Sequence, residues 1–569
     1  MRCNRPTFVF TARLGLPILI SCGLTACAPP AAAPTGASAA LAAHQPGRVL
    51  GAEVIGRVAP DLPVDLVLGM RLGDGRAVDE LLARQSDRRS GSFRKWLSPA
   101  EFGDTFGPSV EIYEAVVATV ERAGLAVTRR ATGRTSLSVR GPAAAVERLL
   151  GTELLLWQDG RADERGGRFR APSAALTMPP ALAAVETVVG LDDAMLWRSH
   201  RRGPAPGAEP NAGPTQTQEP ADLRTRYNVT TAKHPVTNQP LLGAGETIAI
   251  LGTGFAPADS DVKNFITRYA LPTNQAAQYV KVFLGGDNRD PSALANTEYG
   301  ENVLDIDMVL SMAPLANVIH VITAANGGGL FSDGIAFVVD QTPQAHAVTV
   351  SYGSCERVAI WETLQINALL QQAKAEGQAW FFASGDDGTD SCKDGAPTAV
   401  PSVNWPSSSP YAFGVGGTQL TSGGVEQAWG YGGGGLSEIF PRPTWQNGVG
   451  PYPTVDARQV PDVSALAGDP GVATVFGNTV SASQGTSAAA PMWAGVWALV
   501  DESRGGIGMA DYHERVYALG KLGGPAFHDV TSGSNSVIGL PPGYPAQAGF
   551  DLATGWGTPN VEMLVGGLP

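Results

Sequence analysis

Cysteine is scarce in this chain, and its distribution excludes two kinds of site. Of the five cysteines in 569 residues, Cys3, Cys22 and Cys27 lie in the first 27 residues, which leaves Cys355 and Cys392 for the folded part. Two such residues do not have the spacing of a zinc site, and they do not suggest a thiol nucleophile. If the protein is exported, Cys355 and Cys392 most simply form a disulfide, because that compartment is oxidising.

Basic surface stripes are also lacking, and the charge that is present is unevenly placed. No run of Lys and Arg interleaved with aromatic residues occurs, so we expect no nucleic-acid partner. Residues 1–220 contain 25 basic and 22 acidic residues, whereas residues 221–569 contain 15 basic and 31 acidic residues. The two parts have opposite net charge, which predicts that the N-terminal part docks electrostatically on the C-terminal part.

The first 27 residues have the pattern of an export signal. Arg2, Arg5 and Arg13 precede a short apolar run and then small residues, and the run is too short for a membrane span. Leu24–Cys27 (LTAC) resembles a bacterial lipobox, whose cysteine is lipidated after cleavage. A lipoprotein signal and an ordinary secretory signal both remain open, so the protein is predicted to be secreted, periplasmic or an outer-surface lipoprotein. A lipid anchor at Cys27 would be its sole membrane contact.

The rest of the chain divides into four segments by composition. Residues 28–47 are low-complexity and predict a flexible tether. Residues 48–199 mix apolar alternation with helical patterns, which predicts a small α+β domain. Residues 200–220 are rich in Pro, Gly and polar residues, as in a cleavable linker. In residues 221–569, short apolar strands alternate with helices, which predicts a parallel sheet covered on both faces and a functional site at the carboxyl ends of its strands.

The sequence QGTSAAAPMWAG at Gln484–Gly495 offers a candidate nucleophile. It places Ser487 at the start of an Ala-rich helix, where amide N–H groups and the helix dipole favour negative charge. A serine nucleophile needs a base, and none of the seven histidines stands in an HGT context of the subtilisin type. By itself the motif favours a plain buried helix start.

Carboxylates are the alternative base. Glu301 and Asp305 are four residues apart in an apolar helical sequence, so they share one helix face, and burial of such a pair raises at least one pKa. Asp386 follows a hydrophobic strand in SGDDG, where a protonated carboxyl could donate a hydrogen bond to an oxyanion. The plain interpretations are a helix cap with ordinary acids, and turn residues beside Gly388.

In this order, Glu301-x-x-x-Asp305, SGDDG and GTSAAAP resemble the motifs of the sedolisin family of serine-carboxyl peptidases. FRKWLSPAEFGDTFGPS (Phe93–Ser109) and VVGLDD (Val188–Asp193) are similar to that family's prodomain, and EPADLRTRYNV (Glu219–Val229) to the start of its mature enzyme. The resemblance implies an α/β, subtilisin-like catalytic domain at 221–569 with a central parallel sheet flanked by helices. It also implies a small α+β, ferredoxin-like activation prodomain at 48–199.

The same resemblance assigns roles. It implies Ser487 as nucleophile, Glu301 as general base and then acid, Asp305 as the group that orients Glu301, and Asp386 in the oxyanion hole. It implies two substrate-flanking stretches, Ser351-Tyr352-Gly353 and Gly433-Gly434-Gly435. It further implies a Ca²⁺ site made of the Asp529 and Asp551 carboxylates and the carbonyls of Val530, Gln547 and Gly549, which are hard oxygen ligands.

The function predicted is an exported, acid-acting serine endopeptidase, made as a proenzyme whose own prodomain inhibits it, with proteins or peptides as substrates and a monomeric state. Two alternatives stay open at this point. One is a His-dependent subtilisin-like peptidase, and the other is a catalytically silent, lipid-anchored binding protein. Peptide hydrolysis by the wild type and by Ser487→Ala would separate them.

Overall fold

The structure, a computed structural model, describes residues 47–73, 75–161, 165–195, 197–202, 217–272, 278–284, 297–324, 330–357, 360–392, 400–537 and 542–568. The predicted signal peptide, Cys27, nearly all of the tether and residues 203–216 of the linker lie outside these ranges. Within the described ranges, no helix combines the length and the apolar composition needed to cross a membrane.

The N-terminal part folds around a four-stranded antiparallel sheet of order β3-β4-β2-β7, and a three-stranded sheet of order β1-β5-β6 lies beside it. A helix precedes the second strand of the larger sheet and another follows its third, which is the βαββαβ arrangement of ferredoxin-like domains. The strands are Glu53–Arg57 (β1), Pro63–Met70 (β2), Ala126–Arg130 (β3), Ser136–Pro142 (β4), Leu154–Gln158 (β5), Arg168–Pro172 (β6) and Val185–Val189 (β7). The helices are Gly75–Ser86 (α1), Pro99–Phe106 (α2), Val110–Arg122 (α3) and Ala143–Leu150 (α4).

Local sequence sets the ends of these helices. Ser98 caps α2, because its hydroxyl accepts from the Glu101 amide while the Glu101 carboxylate accepts from the Ser98 amide. Ser109 caps α3 through its hydroxyl alone, which accepts from the Ile112 amide. Apolar residues of β2, β4, α3 and α4, such as Leu66, Val116 and Val146, then form one buried core.

The C-terminal part is built on a mostly parallel sheet of order β10-β11-β9-β12-β14-β16-β17, in which β20 also pairs with β16. All of these pairs are parallel except β16 with β17. The strands, including short ones outside this sheet, are Arg198–Ser199 (β8), Thr247–Thr253 (β9), Tyr279–Leu284 (β10), Asn317–Thr323 (β11), Ala347–Val350 (β12), Tyr352–Cys355 (β13), Ala379–Ala383 (β14), Asn404–Trp405 (β15), Phe413–Leu420 (β16), Glu426–Ala428 (β17), Gly435–Leu436 (β18), Gln459–Val460 (β19), Val463–Leu466 (β20), Val472–Phe476 (β21), Thr479–Ser483 (β22), Phe527–His528 (β23) and Thr558–Pro559 (β24).

Helices cover both faces of this sheet, which confirms the predicted fold class. They are Pro220–Arg226 (α5), Asp259–Arg268 (α6), Thr297–Met312 (α7), Leu330–Gln341 (α8), Ile360–Ala375 (α9), Thr486–Ser503 (α10), Tyr512–Lys521 (α11) and Val561–Gly567 (α12). One core joins α7 and α10 to one face of the sheet, and a second joins α8 and α9 to the other. Strands buried on both faces explain the near-continuous apolar runs of the sequence.

Cys355 and Cys392 form a disulfide with their Cα atoms 4.7 Å apart. The bond ties β13 to the loop that follows β14, and both segments border the site described below. Such a cross-link lowers the entropy of the unfolded chain and so stabilises the folded one.

Candidate active site

Ser487 lies at the second position of α10 and is fully buried. Gly485 precedes the helix with φ of 127°, a left-handed value that favours glycine. Pro491 has no amide hydrogen, so the Ser487 carbonyl lacks its usual helical partner four residues on. The Ser351 hydroxyl lies 3.3 Å from that carbonyl instead, which connects the start of α10 to the end of β12.

Glu301 and Asp305 lie one turn apart on α7, and neither side chain is exposed. The Ser351 hydroxyl donates to Asp305 Oδ1 at 2.5 Å, and the Ser199 hydroxyl donates to Glu301 Oε2. Burial raises the pKa of both carboxyls, and the charge of Glu301 raises the pKa of Asp305 further. The pair therefore readily retains one proton, as the sequence pattern predicts.

Ser487 and the carboxylate pair face each other. A hydrogen bond with the Ser487 hydroxyl lowers the pKa of Glu301 and so opposes the effect of burial. The same hydroxyl lies 3.4 Å from the Ser351 carbonyl oxygen. Ser351 thus contacts Asp305 through its hydroxyl and Ser487 through both its hydroxyl and its carbonyl, so it lies between the two helices.

Asp386 is held in the loop after β14 by the residue next to Ser487. Its Oδ1 accepts from the Thr486 amide and from the Thr486 hydroxyl, both at 2.8 Å. Its Oδ2 has no hydrogen-bond partner among the described residues, and Arg202 Nε lies 3.8 Å from it. Burial raises the pKa of Asp386 to about 8, so the carboxyl is protonated at neutral and acidic pH and can donate a hydrogen bond.

The first predicted substrate stretch, Ser351–Gly353, borders this group. It contacts the chain's own residues 198–202, because β13 pairs antiparallel with β8. The second stretch behaves differently. Gly433 donates to the Gly385 carbonyl at 2.7 Å, and Gly435 pairs with Val460, so these glycines contact segments other than residues 198–202. Its part in substrate binding stays a prediction.

Five residues of the site were not predicted from the sequence: Thr486, Ser199, His200, Arg201 and Arg202. Residues 198–202 cross the site, and this segment begins two residues before the linker predicted at 200. A pairing between β8 and β13 joins positions far apart in the chain, so no local pattern indicates it. Thr486 could have been inferred from its place beside Ser487 in the GTS sequence.

The histidines give no support to a His-dependent mechanism. His200 belongs to the segment that crosses the site. The other five in the described residues have partners elsewhere: His234 with Val236, His320 with Asn302, His346 with Asp501, His513 with Ala412 and His528 with Asn228.

The predicted Ca²⁺ ligands are brought together in two C-terminal loops. The Gly549 amide donates to Asp529 Oδ2 at 2.8 Å, and the Gln547 amide donates to Asp551 Oδ2 at 2.8 Å. Asp551 is buried, and burial raises its pKa to about 6, a cost that a cation would relieve. Carboxylates are hard oxygen ligands of the kind that Ca²⁺ takes, so Asp529 and Asp551 fit the ion, and the carbonyls of Val530, Gln547 and Gly549 stay predicted ligands.

A second group of possible metal ligands consists of Glu246, His346 and Asp501, whose ligand atoms lie within 4.8 Å of one another. Asp501 already accepts from the Gly508 amide and from Arg504, and burial raises the pKa of Glu246 to about 9. A protonated Glu246 beside an ionised Asp501 satisfies this group without a metal.

Two known families match consecutive parts of the chain. Residues 51–194 match the family described as "Pro-kumamolisin, activation domain", and residues 243–515 match the "Subtilase family". Kumamolisin of Bacillus sp. (strain MN-32) is 27% identical over 543 residues, which are 90% of this chain and 93% of that protein. Sedolisin of Pseudomonas sp. (strain 101) is 27% identical over 537 residues, which are 88% and 86% of the two chains. Human tripeptidyl-peptidase 1 is 26% identical over 556 residues, 90% of this chain and 92% of that protein.

A solved structure agrees with these matches. Pseudomonas sedolisin, a serine-carboxyl proteinase complexed with two molecules of pseudo-iodotyrostatin, superposes with a TM-score of 0.52 and 25% identity. The superposition covers 62% of this chain and 97% of the sedolisin chain.

The parallel sheet, the helices on its two faces and the subtilase match define a serine-type peptidase with a subtilisin-like fold. The activation-domain match and the relatives above support a sedolisin-family peptidase with an N-terminal activation domain in the same polypeptide.

Proposed function

We propose that this chain is the precursor of an exported serine-carboxyl endopeptidase that cuts proteins or peptides at acidic pH. The observation that carries the proposal is the convergence of Ser487 with two buried carboxyls through Ser351 and with a third through Thr486. No imidazole is needed, because a carboxylate whose pKa is raised can accept a proton at the working pH.

In the proposed mechanism, Ser487 Oγ attacks the peptide carbonyl carbon and its proton passes to Glu301. Asp305 shares the proton of the pair and orients Glu301. Protonated Asp386 donates a hydrogen bond to the developing oxyanion. Glu301 then protonates the leaving amine as the C–N bond breaks, which leaves an acyl-enzyme. A water molecule that gives its proton to Glu301 hydrolyses this ester and restores Ser487.

Activity at acidic pH follows from the removal of residues 198–202 from the site. The raised pKa values describe the precursor, in which residues 198–202 cover Glu301 and Asp386. Removal of that segment admits water, which lowers the cost of the ionised carboxylates and brings both pKa values down. The window in which Glu301 is ionised and Asp386 is protonated then moves to acidic pH.

We further propose residues 1–27 as the export signal, 28–47 as the tether, 48–199 as the activation prodomain, 200–220 as the linker and 221–569 as the catalytic domain. Arg2, Arg5, Arg13 and the short apolar run support export, and the LTAC sequence supports a lipid anchor at Cys27. A Ca²⁺ ion held by Asp529, Asp551 and the neighbouring carbonyls would stabilise the two loops that carry these residues.

Peptide hydrolysis between pH 3 and pH 7 tests the assignment. We expect Ser487→Ala to lower kcat/KM at least about a thousandfold, because the residual rate comes only from binding and oxyanion stabilisation. Ser503→Ala is the matched control, since Ser503 is a buried serine at the other end of α10 whose hydroxyl donates to Val500. Equal activity of wild type and Ser487→Ala would refute the mechanism.

A further inference from the structure

Residues 198–202 lie across the site as an added strand. Ser199 is paired with Tyr352 and Arg198 with Gly353, in antiparallel register. The His200 amide donates to the Ser351 carbonyl at 3.1 Å. Beyond the site, Arg202 and Gln484 exchange two main-chain hydrogen bonds, at 2.8 and 3.0 Å. Backbone pairing on both sides of one position is the way an extended peptide is held on a sheet edge.

The position held between these pairings is the carbonyl of His200. A Cβ added to Gly485 would lie 1.9 Å from the His200 oxygen and 2.9 Å from Asp386 Oδ2. Both oxygens therefore approach one point at the start of α10, two residues from Ser487. The absence of a side chain at Gly485 is what lets the His200 carbonyl come this close to the carboxyl proposed to stabilise the oxyanion.

The side chain of His200 lies in a pocket that the catalytic part forms. His200 is 7% exposed, and neither its Nε2 nor Asn404 Oδ1 has a hydrogen-bond partner among the described residues. A Cβ on Gly353 would lie 1.8 Å from Asn404 Oδ1 and 2.7 Å from His200 Nε2, so the glycine leaves the space that the amide and the imidazole occupy. Asp387 borders the same pocket.

The residues after His200 are also bound specifically. The Arg202 guanidinium lies 3.0 Å from Asp387 and 4.4 Å from the centre of the Tyr431 ring. Arg201 lies over the ring of Phe476 at 5.3 Å, and its Nε donates to Ser483 Oγ at 3.4 Å. Ion pairing and cation–π contact both favour basic side chains on this side of the site.

We propose that His200–Arg201 is the first bond this protein cuts, in its own linker, and that the pocket of Gly353, Asn404 and Asp387 receives the side chain that precedes a scissile bond. The proposal rests on the proposed peptidase function. Ser487 Oγ forms an ester with the His200 carbonyl carbon, the bond to the Arg201 nitrogen breaks, and Glu301 returns the serine proton to the new Arg201 amine. Water then releases His200 as a carboxylate. The substrate class it implies is peptides with His before the bond and Arg after it.

Processing of the full chain tests the proposal. Purified precursor is brought to acidic pH, and the earliest products are identified by intact mass and N-terminal sequencing. We expect one fragment that ends at His200 and one that begins at Arg201. Arg201→Pro should slow the appearance of this pair at least tenfold, because proline has no amide hydrogen and fixes φ at the leaving nitrogen. Gly207→Pro, also in the linker, should not.

Cleavage of a synthetic peptide tests the same proposal if the Arg201→Pro precursor fails to fold. The mature enzyme is given the heptapeptide of residues 197–203, WRSHRRG, and we expect WRSH as the first product. The same peptide with Glu in place of His should be cut at least tenfold more slowly, because it would place a second carboxylate beside Asp387. If the enzyme hydrolyses other peptides but first cuts itself elsewhere, or leaves WRSHRRG intact, this inference is overturned and the proposed function stands. If Ser487→Ala precursor matures at the wild-type rate and hydrolyses peptides equally, the proposed function fails as well.

Discussion

At the scale of single residues, burial decides what the carboxyls of this site can do. Glu301 and Asp305 are wholly enclosed and Asp386 is 5% exposed, so the ionised form of each is disfavoured and its pKa rises. The hydrogen-bond partners of Asp386 and Glu301 then give the two carboxyls different roles. Asp386 keeps one oxygen on Thr486 and leaves the other without a hydrogen-bond partner among the described residues, whereas Glu301 meets the hydroxyls of Ser199 and Ser487.

The pH profile of Asp386→Asn tests the assignment of the oxyanion group. Protonated Asp386 can donate a hydrogen bond, and the ionised form cannot, so we expect the rate of the wild type to fall as pH rises through the pKa of Asp386. An asparagine amide donates at every pH. The variant should therefore have a lower maximal rate but no fall on this alkaline limb, measured as kcat/KM from pH 3 to pH 9.

The neighbouring acid serves as the comparison. Asp387→Asn should change KM for peptides with a basic residue after the cut, and it should keep an alkaline limb, moved to lower pH because the charge of Asp387 raises the pKa of Asp386. Wild-type activity that persists undiminished at pH 8, or an alkaline limb unchanged in Asp386→Asn, would contradict the role given to Asp386.

At the scale of elements, two helices bring the chemistry together and loops hold the rest. Helix α7 carries the carboxylate pair, α10 starts at the serine, and β12 ends at Ser351 between them. The parallel sheet directs these ends to one edge, as expected for a fold of this kind. The C-terminal loops that hold Asp529 and Asp551 lack such regular support, which is where a bound ion would add stability.

Chelation tests the calcium proposal on these loops. We expect EDTA to lower the Tm of the wild type, since an ion that binds only the folded state stabilises it by about 2.7 kcal/mol when its free concentration is about 100 times Kd. Asp529→Asn removes one carboxylate ligand, so its Tm should lie below that of the untreated wild type both with and without EDTA. Asp456→Asn changes an exposed acid elsewhere, so EDTA should lower its Tm as much as that of the wild type. If EDTA does not change the Tm of the wild type, the loops bind no ion.

At the scale of the whole molecule, the prodomain rests on α8 and α9 of the catalytic part. Arg129 of β3 pairs with Asp333 of α8 at 2.6 Å, and Thr132 and the Gly133 amide donate to Asp340. The Trp197 ring stacks on Phe331 with centroids 4.1 Å apart, just before the chain enters the site. These contacts agree with the opposite net charges of the two parts.

Hydrogen exchange on the inactive Ser487→Ala precursor tests this docking. The Arg129–Asp333 pair is largely shielded from water, so Arg129→Ala leaves a carboxylate without its ion partner and should lower the free energy of local opening by about 1.5–3 kcal/mol. We expect roughly 10- to 100-fold faster exchange of the amides of α8. Arg130→Ala is the matched control, because Arg130 pairs with Glu114 inside the prodomain. Equal exchange in the two variants would mean that the ion pair does not hold the prodomain in place.

The sequence by itself determined the fold class and predicted the residues of the candidate site. Apolar runs separated by helical patterns indicated a covered parallel sheet, and the spacing of Glu301 and Asp305 placed them on one helix face, because both features depend on the local periodicity of the chain. Because no histidine stands in a suitable context, the sequence indicated carboxylates as the base for Ser487.

Only the tertiary structure decided which groups meet across the site. The structure places Ser351 between Asp305 and Ser487, Thr486 on Asp386, and the His200 carbonyl beside Gly485. These contacts join positions that are 46 or more residues apart in the chain. No periodicity encodes such pairs, because chain folding and not sequence neighbourhood sets their distances. The same reason explains why the sequence predicted residues 200–220 only as a cleavable linker, whereas His200 is buried and Arg201 and Arg202 are half-buried in the site.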